Sequence, residues 1–313
     1  MGDVRAEGTQ RWSVGEVRIT SIVESQTDGI PPVFFFGDAD EALVQRHPWL
    51  VPHFADEHGR IHLRVQAFVV EAGGRTLVVD PCVGNGKTRT FAFWHQQDWP
   101  FMERFRAAGF DPDDVDLVVH THLHADHVGW DTHLDDGRWV PTFGRARHLY
   151  VQRELDWVEA GAAAGPDGTP LDFGNVHADS IAPIFDAGLA DVVEPDADLG
   201  DGLRLESTDG HTPGHVSLWV ASQDQVALLS GDFLHHPVQC SEPGLAEVGD
   251  EDPERARATR RRLLRQAADE QALFLGTHFP THPAGHVVAA PDAPDSPDSP
   301  DGDAWRFEPV LPG

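Results

Sequence analysis

Hydrophobic positions change period several times along the chain, and each change marks an element. Between residues 11 and 24, Val14, Val17, Ile19 and Ile22 are spaced as in an opening β-hairpin or a pair of short strands. Residues 65–70 and 76–80 read as apolar strands joined by Gly73-Gly74, a hairpin turn signal. Over 99–109 the period becomes helical, with Phe101, Met102, Phe105 and Ala108 on one face, and Asp111-Pro112 closes that helix. Val115 to Val119 then reads as a buried strand. The pattern predicts a helix over 145–160 from Leu149, Leu155 and Val158. Residues 161–180 are Gly-rich with two prolines and predict a mobile loop that covers a site. Strands and turns return over 192–220. Residues 253–270 predict a basic amphipathic helix opened by Asp252-Pro253-Glu254.

Two stretches follow neither period. Residues 28–60 carry Pro31-Pro32, Phe34-Phe35-Phe36, Pro48-Trp49 and Pro52-His53-Phe54, with no regular helix or strand pattern. Such aromatic patches mark interaction surfaces, and loops of this kind also cover cores. Residues 291–303 are low complexity and hold almost no apolar side chains. They predict a disordered tip of a long hairpin between Val287-Val288 and Trp305-Arg306-Phe307.

Composition narrows the function classes. The 313 residues suffice for one large α/β domain, and the dispersed candidate ligands described below favour one over two. Asp and Glu number 52 against 23 Lys and Arg, a formal charge of −29. That field opposes nucleic acid, whose affinity comes mostly from cations meeting phosphates. It also gives poor long-range steering to anionic substrates. Arg260-Arg261-Arg262 is one short run, read as a solvated helix face. Gly84-Asn85-Gly86-Lys87 lacks phosphate-loop spacing and reads as a plain turn. No apolar run approaches a membrane span, and Met1 to Arg5 holds no apolar signal core. A cytoplasmic protein without membrane or nucleic-acid partners is the expectation. Cys82 and Cys240 are expected to be buried free thiols.

The chemistry concentrates in Thr121-His122-Leu123-His124-Ala125-Asp126-His127, an H-x-H-x-D-H signature after the strand at 115–119. In an extended segment i and i+2 share a side, so His122 and His124 can bind one ion together. After a turn, Asp126 and His127 can reach a second ion beside it. His215 lies in His211-Thr212-Pro213-Gly214-His215. Asp232 follows Leu228-Leu229-Ser230-Gly231, and His278 follows Leu273-Phe274-Leu275-Gly276-Thr277. Asp232 and His278 each come where a strand would end. A carboxylate shared by both ions would offset their repulsion, and Asp232 is the natural candidate. Imidazole nitrogen and carboxylate oxygen suit zinc, and mixed ligands leave manganese, iron or cobalt open.

From Gln66 to Phe307 the chain resembles the metallo-β-lactamase superfamily, Asp80 in Leu77-Val78-Val79-Asp80 included. Within it, Gly231-Asp232-Phe233-Leu234-His235, Thr277-His278-Phe279, Gly285-His286-Val287 and Trp305-Arg306-Phe307 look most like the methyl parathion hydrolase-like and lactonase branch. The resemblance implies an α/β fold, a four-layer αβ/βα sandwich. It implies His122, His124 and His215 on a first ion, Asp126, His127 and His278 on a second, and Asp232 bridging. It further suggests that the N-terminal extension, about 1–60, lines the pocket or builds a homodimer contact.

Two ions side by side can hold a hydroxide at neutral pH and polarise a C=O or P=O bond. The expected activity is therefore hydrolysis of a neutral ester, lactone or phosphotriester, with Asp126 as a second proton handler. Asp80, His120 and His211 are candidates for orienting ligand histidines. Phe34, Phe35, Phe36, Trp49 and Phe54 offer an apolar wall for a small neutral substrate. Lactonases of this branch often carry a tyrosine soon after the bridging aspartate. Here Phe233-Leu234-His235-His236 stand there, and the only tyrosine is Tyr150. His235 is the candidate hydrogen-bond donor in its place. A thioester hydrolase, or a non-catalytic metal-binding regulatory module, is the alternative.

Overall fold

The computed structural model describes residues 9–161, 173–290 and 304–311. The expectations for the N-terminal residues 1–5 and the acidic stretch 291–303 fall outside them. The strands are β1 (Gln10–Val14), β2 (Val17–Ile30), β3 (Ile61–Ala72), β4 (Arg75–Val79), β5 (Leu117–Val119), β6 (Thr132–Asp135), β7 (Arg138–Pro141), β8 (Arg147–Val151), β9 (Ala190–Val193), β10 (Asp198–Gly200), β11 (Leu203–Ser207), β12 (Val216–Ser222), β13 (Gln225–Leu229), β14 (Leu273–Leu275), β15 (Ala284–Ala289) and β16 (Trp305–Pro309). They form a seven-stranded sheet ordered β1-β2-β3-β4-β5-β8-β9, a second ordered β10 to β16, and the small β6-β7 ribbon.

Alternation along each strand decides the layering. Phe68, Val70, Leu77 and Val79 from the first sheet meet Leu205, Leu218, Val220 and Leu229 from the second in one buried cluster. Their neighbours Ala67, Val69 and Val78 face the other way, onto Phe101 and Phe105 of the helix Phe101–Ala107. Trp219, Leu228 and Phe274 likewise turn outward, onto Leu263 and Leu264 of the helix Pro253–Asp269. Helix, sheet, sheet, helix is the expected four-layer sandwich. Each fully buried phenylalanine in these layers contributes roughly 1.5–3 kcal/mol of apolar transfer. Among the described residues no helix is long and apolar enough to cross a membrane.

Four expectations need correcting. Residues 145–160 split into β8 and the helix Gln152–Glu159. His148 to Val151 lie between β5 and β9 as a parallel strand, where burial on both faces hides any alternation. Residues 162–172 of the expected loop lie outside the described residues, and the part that follows is helical: Phe173–Val176, a wide π-type segment His177–Ile181, then Ala182–Asp186. Residues 28–60 hold two short helices, Val33–Phe36 and Glu41–Gln45, within otherwise irregular chain.

The fourth correction concerns the basic run 260–262. Arg260 is fully buried rather than solvated. It lies on the helix face of Ala256, Leu263, Leu264 and Ala267, at offsets of three, four and seven. Three consecutive helical residues point in three directions, so the run could not share one solvated face. Its guanidinium donates to the carbonyls of Phe233 (2.9 Å), Pro243 (3.1 Å) and Leu245 (2.7 Å). Lys87, in the supposed plain turn, is also buried and donates to Thr132 Oγ1 (2.6 Å), the Asp179 carbonyl (2.8 Å) and Ser180 Oγ (3.2 Å).

Candidate metal centre

Strand direction gathers the candidate ligands. β4, β5 and β8 run parallel, and so do β13 and β14 in the other sheet. Asp80 follows β4, the H-x-H-x-D-H segment follows β5, Asp232 follows β13 and His278 follows β14. β12 is antiparallel to β13, so His215, just before β12, comes to the same rim. Gly231 makes the turn into Asp232 with φ +57°, and a Cβ there would stand 2.7 Å from His215 Nε2 and 2.8 Å from Thr121 Cβ. Only glycine fits.

Asp232 is the hub. Its Oδ2 lies 3.1 Å from Nε2 of His127, His235 and His278, 3.6 Å from His122 and 3.8 Å from His211. Its Oδ1 is buried with no hydrogen-bond partner. His122, His124, His211 and Asp232 form one group of mutually close donor atoms, and Asp126, His127 and His278 form another. Buried, orphaned carboxylate oxygen amid imidazoles is a donor set that fits divalent cations. Burial pulls His122, His124 and His215 well below the ordinary histidine range. Burial opposes charge on His127 too, but Asp232, Asp126 and Asp80 outweigh it and push that ring well above the range. Burial would raise the Asp232 carboxyl, yet His127, His278 and His235 hold it well below the usual carboxylate range.

Surrounding groups orient these rings. Asp80 accepts from the Thr121 amide and hydroxyl, both at 2.8 Å, and its Oδ2 lies 3.1 Å from His127 Nδ1. His278 Nδ1 donates to the Arg64 carbonyl at 2.8 Å, leaving Nε2 for the site. His120 turns elsewhere, to Asp131, His148 and Tyr150. The sequence reading missed Glu154. This buried carboxylate accepts from the Leu123 amide (3.2 Å) and the Gly214 amide (2.6 Å), tying the two histidine loops together. Its one signal was an acid in the first turn of an otherwise apolar-faced helix, which is weak.

The structure separates two histidines that the sequence treated differently. His215 is packed against His122, with ring centroids 5.1 Å apart, but its Nε2 lies 2.8 Å from the Asp232 amide. His211, expected in a supporting place, brings Nε2 to 3.0 Å from His124 Nδ1. Burial alone would lower the His211 pKa, but the Asp250 hydrogen bond, Glu247 and Asp232 raise it to about 9.

His235 is buried beside Asp232 and stacked on His278, with ring centroids 5.4 Å apart. Burial depresses its pKa to about 4, and its Nδ1 has no hydrogen-bond partner. Phe35 packs edge-on against it at 5.3 Å. The apolar wall is thinner than expected, because Phe36 and Phe54 belong to the buried core. Phe34 is 74% exposed on the same short helix, and the Val248 amide donates to the Phe35 carbonyl at 2.9 Å. Both cysteines are buried and free.

Comparison with known proteins bears on the family and the fold. The sequence profile of the Metallo-beta-lactamase superfamily matches residues 61–278. An N-acyl homoserine lactonase, AttM, of Rhizobium radiobacter is 28% identical over 192 residues, covering 57% of this chain and 62% of that protein. An N-acyl homoserine lactonase of Bacillus thuringiensis is 25% identical over 173 residues, 55% of this chain and 59% of that one. The matches thus span about three-fifths of these relatives. Among solved structures, the hydrolase AbOPH superposes with TM-score 0.78 at 24% identity, and the dizinc quorum-quenching lactonase AidC with 0.75 at 18%. Each covers 97% of both chains.

Proposed function

Because the chain belongs to the metallo-beta-lactamase superfamily, we propose that it is a dinuclear metal-dependent hydrolase opening lactones or related neutral esters. The observation that carries this reading is the placement of two donor groups around one buried carboxylate, Asp232. The kinship with N-acyl homoserine lactonases supports lactones within the ester class. Zinc is the favoured metal, on the histidine-rich donor set and the dizinc state of AidC. His122, His124, Asp126, His127, Asp232 and His278 would hold the pair, with a nitrogen from the His211–His215 loop. Two divalent ions, when bound, supply an activated water and polarise the ester carbonyl.

The chain's own residues do the rest. Asp126, with its Oδ2 3.6 Å from His278 Nε2, would handle the leaving-group proton as a second role beside metal binding. His235 takes the place that a tyrosine holds in similar lactonases and donates to the departing oxygen. Phe35, Phe34 and Val248 give an apolar rim for an acyl or aryl group. The net charge of −29 disfavours carboxylated analogues.

A hydrolysis panel on metal-replete enzyme tests the reading, spanning lactones, aryl esters, thioesters, phosphotriesters and β-lactams. Chelator-sensitive turnover of neutral lactones or esters, above their carboxylated analogues, is expected. Turnover confined to thioesters or β-lactams, or none at all, would refute it. His235→Ala should lower kcat by roughly 10²–10⁴-fold with metal content unchanged. Loss of metal or stability with kcat per bound metal intact would remove His235 from the mechanism.

A further inference from the structure

Glu24 is a fully buried carboxylate outside both donor groups of the rim. It is the extra residue of a bulge in β2. Val23 pairs with Gln66 and Ser25 with Val65, and Glu24 has no partner across the ladder. Such bulges re-aim a side chain and recur beside active sites. The Glu24 carboxylate accepts three N–H groups. Oε2 takes the Val83 amide at 2.9 Å, and Oε1 takes the Gly84 amide at 3.1 Å and Trp130 Nε1 at 2.7 Å. These bonds favour the anion, against burial, which pushes the pKa up to about 7. Arg104 closes the far side, donating to the carbonyls of Val23 (2.7 Å) and Glu24 (2.8 Å).

The three donors come from two segments that flank the ligands expected on the second ion. Val83 and Gly84 end a loop that begins at Asp80, and Trp130 lies three residues past His127. In that loop Asp80 and Cys82 are non-glycine residues at φ +52° and +48°. Such backbone persists only where its surroundings over-determine it. Here the Cys82 amide donates to the Asp80 carbonyl (2.8 Å), Gly129 to Cys82 (2.6 Å) and Trp130 to Pro81 (2.7 Å). A Cβ on Gly129 would stand 1.7 Å from the Val83 carbonyl oxygen, so the two segments meet backbone to backbone. From this strained loop Asp80 accepts from the Thr121 amide and hydroxyl and brings Oδ2 to 3.1 Å from His127 Nδ1. Burial raises the Cys82 thiol pKa, and Glu24, Asp126 and Asp80 raise it further. Three carboxylates thus crowd one side of the rim, where a cation would offset them.

We propose that Glu24 is a positioning residue for the second ion. It joins the Asp80–Gly84 loop to the chain beyond His127, so that Asp80 holds the His127 ring for the ion shared with Asp126 and His278. The inference rests on the dinuclear reading above. A carboxylate suits this place because both of its oxygens accept. A glutamine of the same shape would set an N–H₂ group against one of the three donors.

The test is zinc binding by chelator competition, with cobalt(II) d–d spectra, on wild type, Glu24→Gln, Asp80→Asn, the double variant, Trp130→Phe and Leu263→Ala. Leu263 packs on the outer face of the other sheet and serves as a purely destabilising control. Glu24→Gln should weaken one of the two binding steps roughly tenfold, the low end of what losing an orienting partner costs. The other step should stay within threefold. Asp80→Asn should weaken the same step, and the double variant should cost little more, because the two act in series. Affinities within twofold of wild type in Glu24→Gln would overturn the proposal. So would equal weakening of both steps, or the same loss in Leu263→Ala, since either makes Glu24 a structural residue only. Melting of the metal-free proteins checks folding. Should Glu24→Gln fail to melt cooperatively, Trp130→Phe removes one of the three donors instead. It should weaken that same step at least threefold, and unchanged affinities there overturn the proposal. Wild type that binds fewer than two ions would refute the dinuclear reading and this one with it. Wild type that binds two, with Glu24→Gln its equal, refutes this one alone.

Discussion

His120 faces Asp131, His148 and Tyr150, whereas His122, two residues on, faces His124, His211 and Asp232. Both clusters are buried, and both place histidines around one aspartate. In the first, Asp131 accepts from His120 at 3.0 Å, His148 at 3.1 Å and Tyr150 at 3.1 Å, and His120 Nδ1 donates to the Leu149 carbonyl at 2.9 Å. Three donors meet two carboxylate oxygens, and His148 Nε2 alone is left over. In the second, nitrogens converge on one another while Asp232 Oδ1 and His235 Nδ1 have no partner. The first cluster is closed by its own protons, and the second leaves donor atoms that cations would complete. Counting donors against acceptors, rather than counting histidines, separates a structural network from a metal centre.

The sharpest way to break that comparison is to remove each aspartate. Asp232→Ala should strip both ions, because the carboxylate is shared, and take hydrolysis to background. Elemental analysis of carefully loaded protein checks this. Retention of both ions in that variant would deny Asp232 its bridging place.

Asp131→Asn should do the reverse. Two ions should remain, but stability should fall by about 3–5 kcal/mol, the usual cost of leaving a buried charge without its partner. Burial opposes charge on His120, yet Asp131 outweighs it and raises the pKa, so the asparagine would strand that charge. Denaturant melts with metal analysis on the same samples read both quantities. Loss of an ion with little loss of stability would make the His120 cluster a metal site after all.

How much of this was legible follows from what local sequence can encode. The H-x-H-x-D-H segment was legible because its ligands lie within six residues after a strand. Asp232 and His278 were legible because each ends an apolar run. His120 read as a candidate for orienting a ligand histidine, and no local feature says that Asp131 and His148 close around it. That His211 rather than His215 falls in the His122–His124 group depends on Asp250, 39 residues from His211, and on the Thr208 hydroxyl just after β11, which holds His215 Nδ1. Arg260 was legible after all, since its offsets to Leu263, Leu264 and Ala267 are those of one helix face, but the basic run drew the eye. The strand at 147–151 was not, because burial on both faces removes the period that marks a strand.

A third buried cluster sharpens the comparison from the side of a cation. Lys87 sits over the Trp139 ring at 3.8 Å, with Thr132, Ser180 and the Asp179 carbonyl around it, and Asp179 itself pairs with Arg89 at 2.7 Å. The carboxylate is thus mostly committed to Arg89, and its nearest approach to Lys87 is 3.6 Å. Burial is the main influence on Lys87 and lowers its pKa to about 7, with Asp179 pulling the other way. Between pH 7 and the ordinary lysine range near 10.5, the unfolded chain therefore binds a proton that the folded chain lacks. Stability contributed by this group must rise with pH across that window, and the cost of a charged buried lysine is borne in full below it. Lys87→Met removes both the charge and the slope. The stability of wild type relative to Lys87→Met should climb steadily from pH 7 to pH 10 in denaturant melts, with metal content matched at each pH. A difference that stays flat would mean that the ammonium remains charged throughout, held by its oxygen acceptors and the indole. Lys87 would then belong with the closed network around Asp131 rather than with the groups that burial leaves wanting a partner.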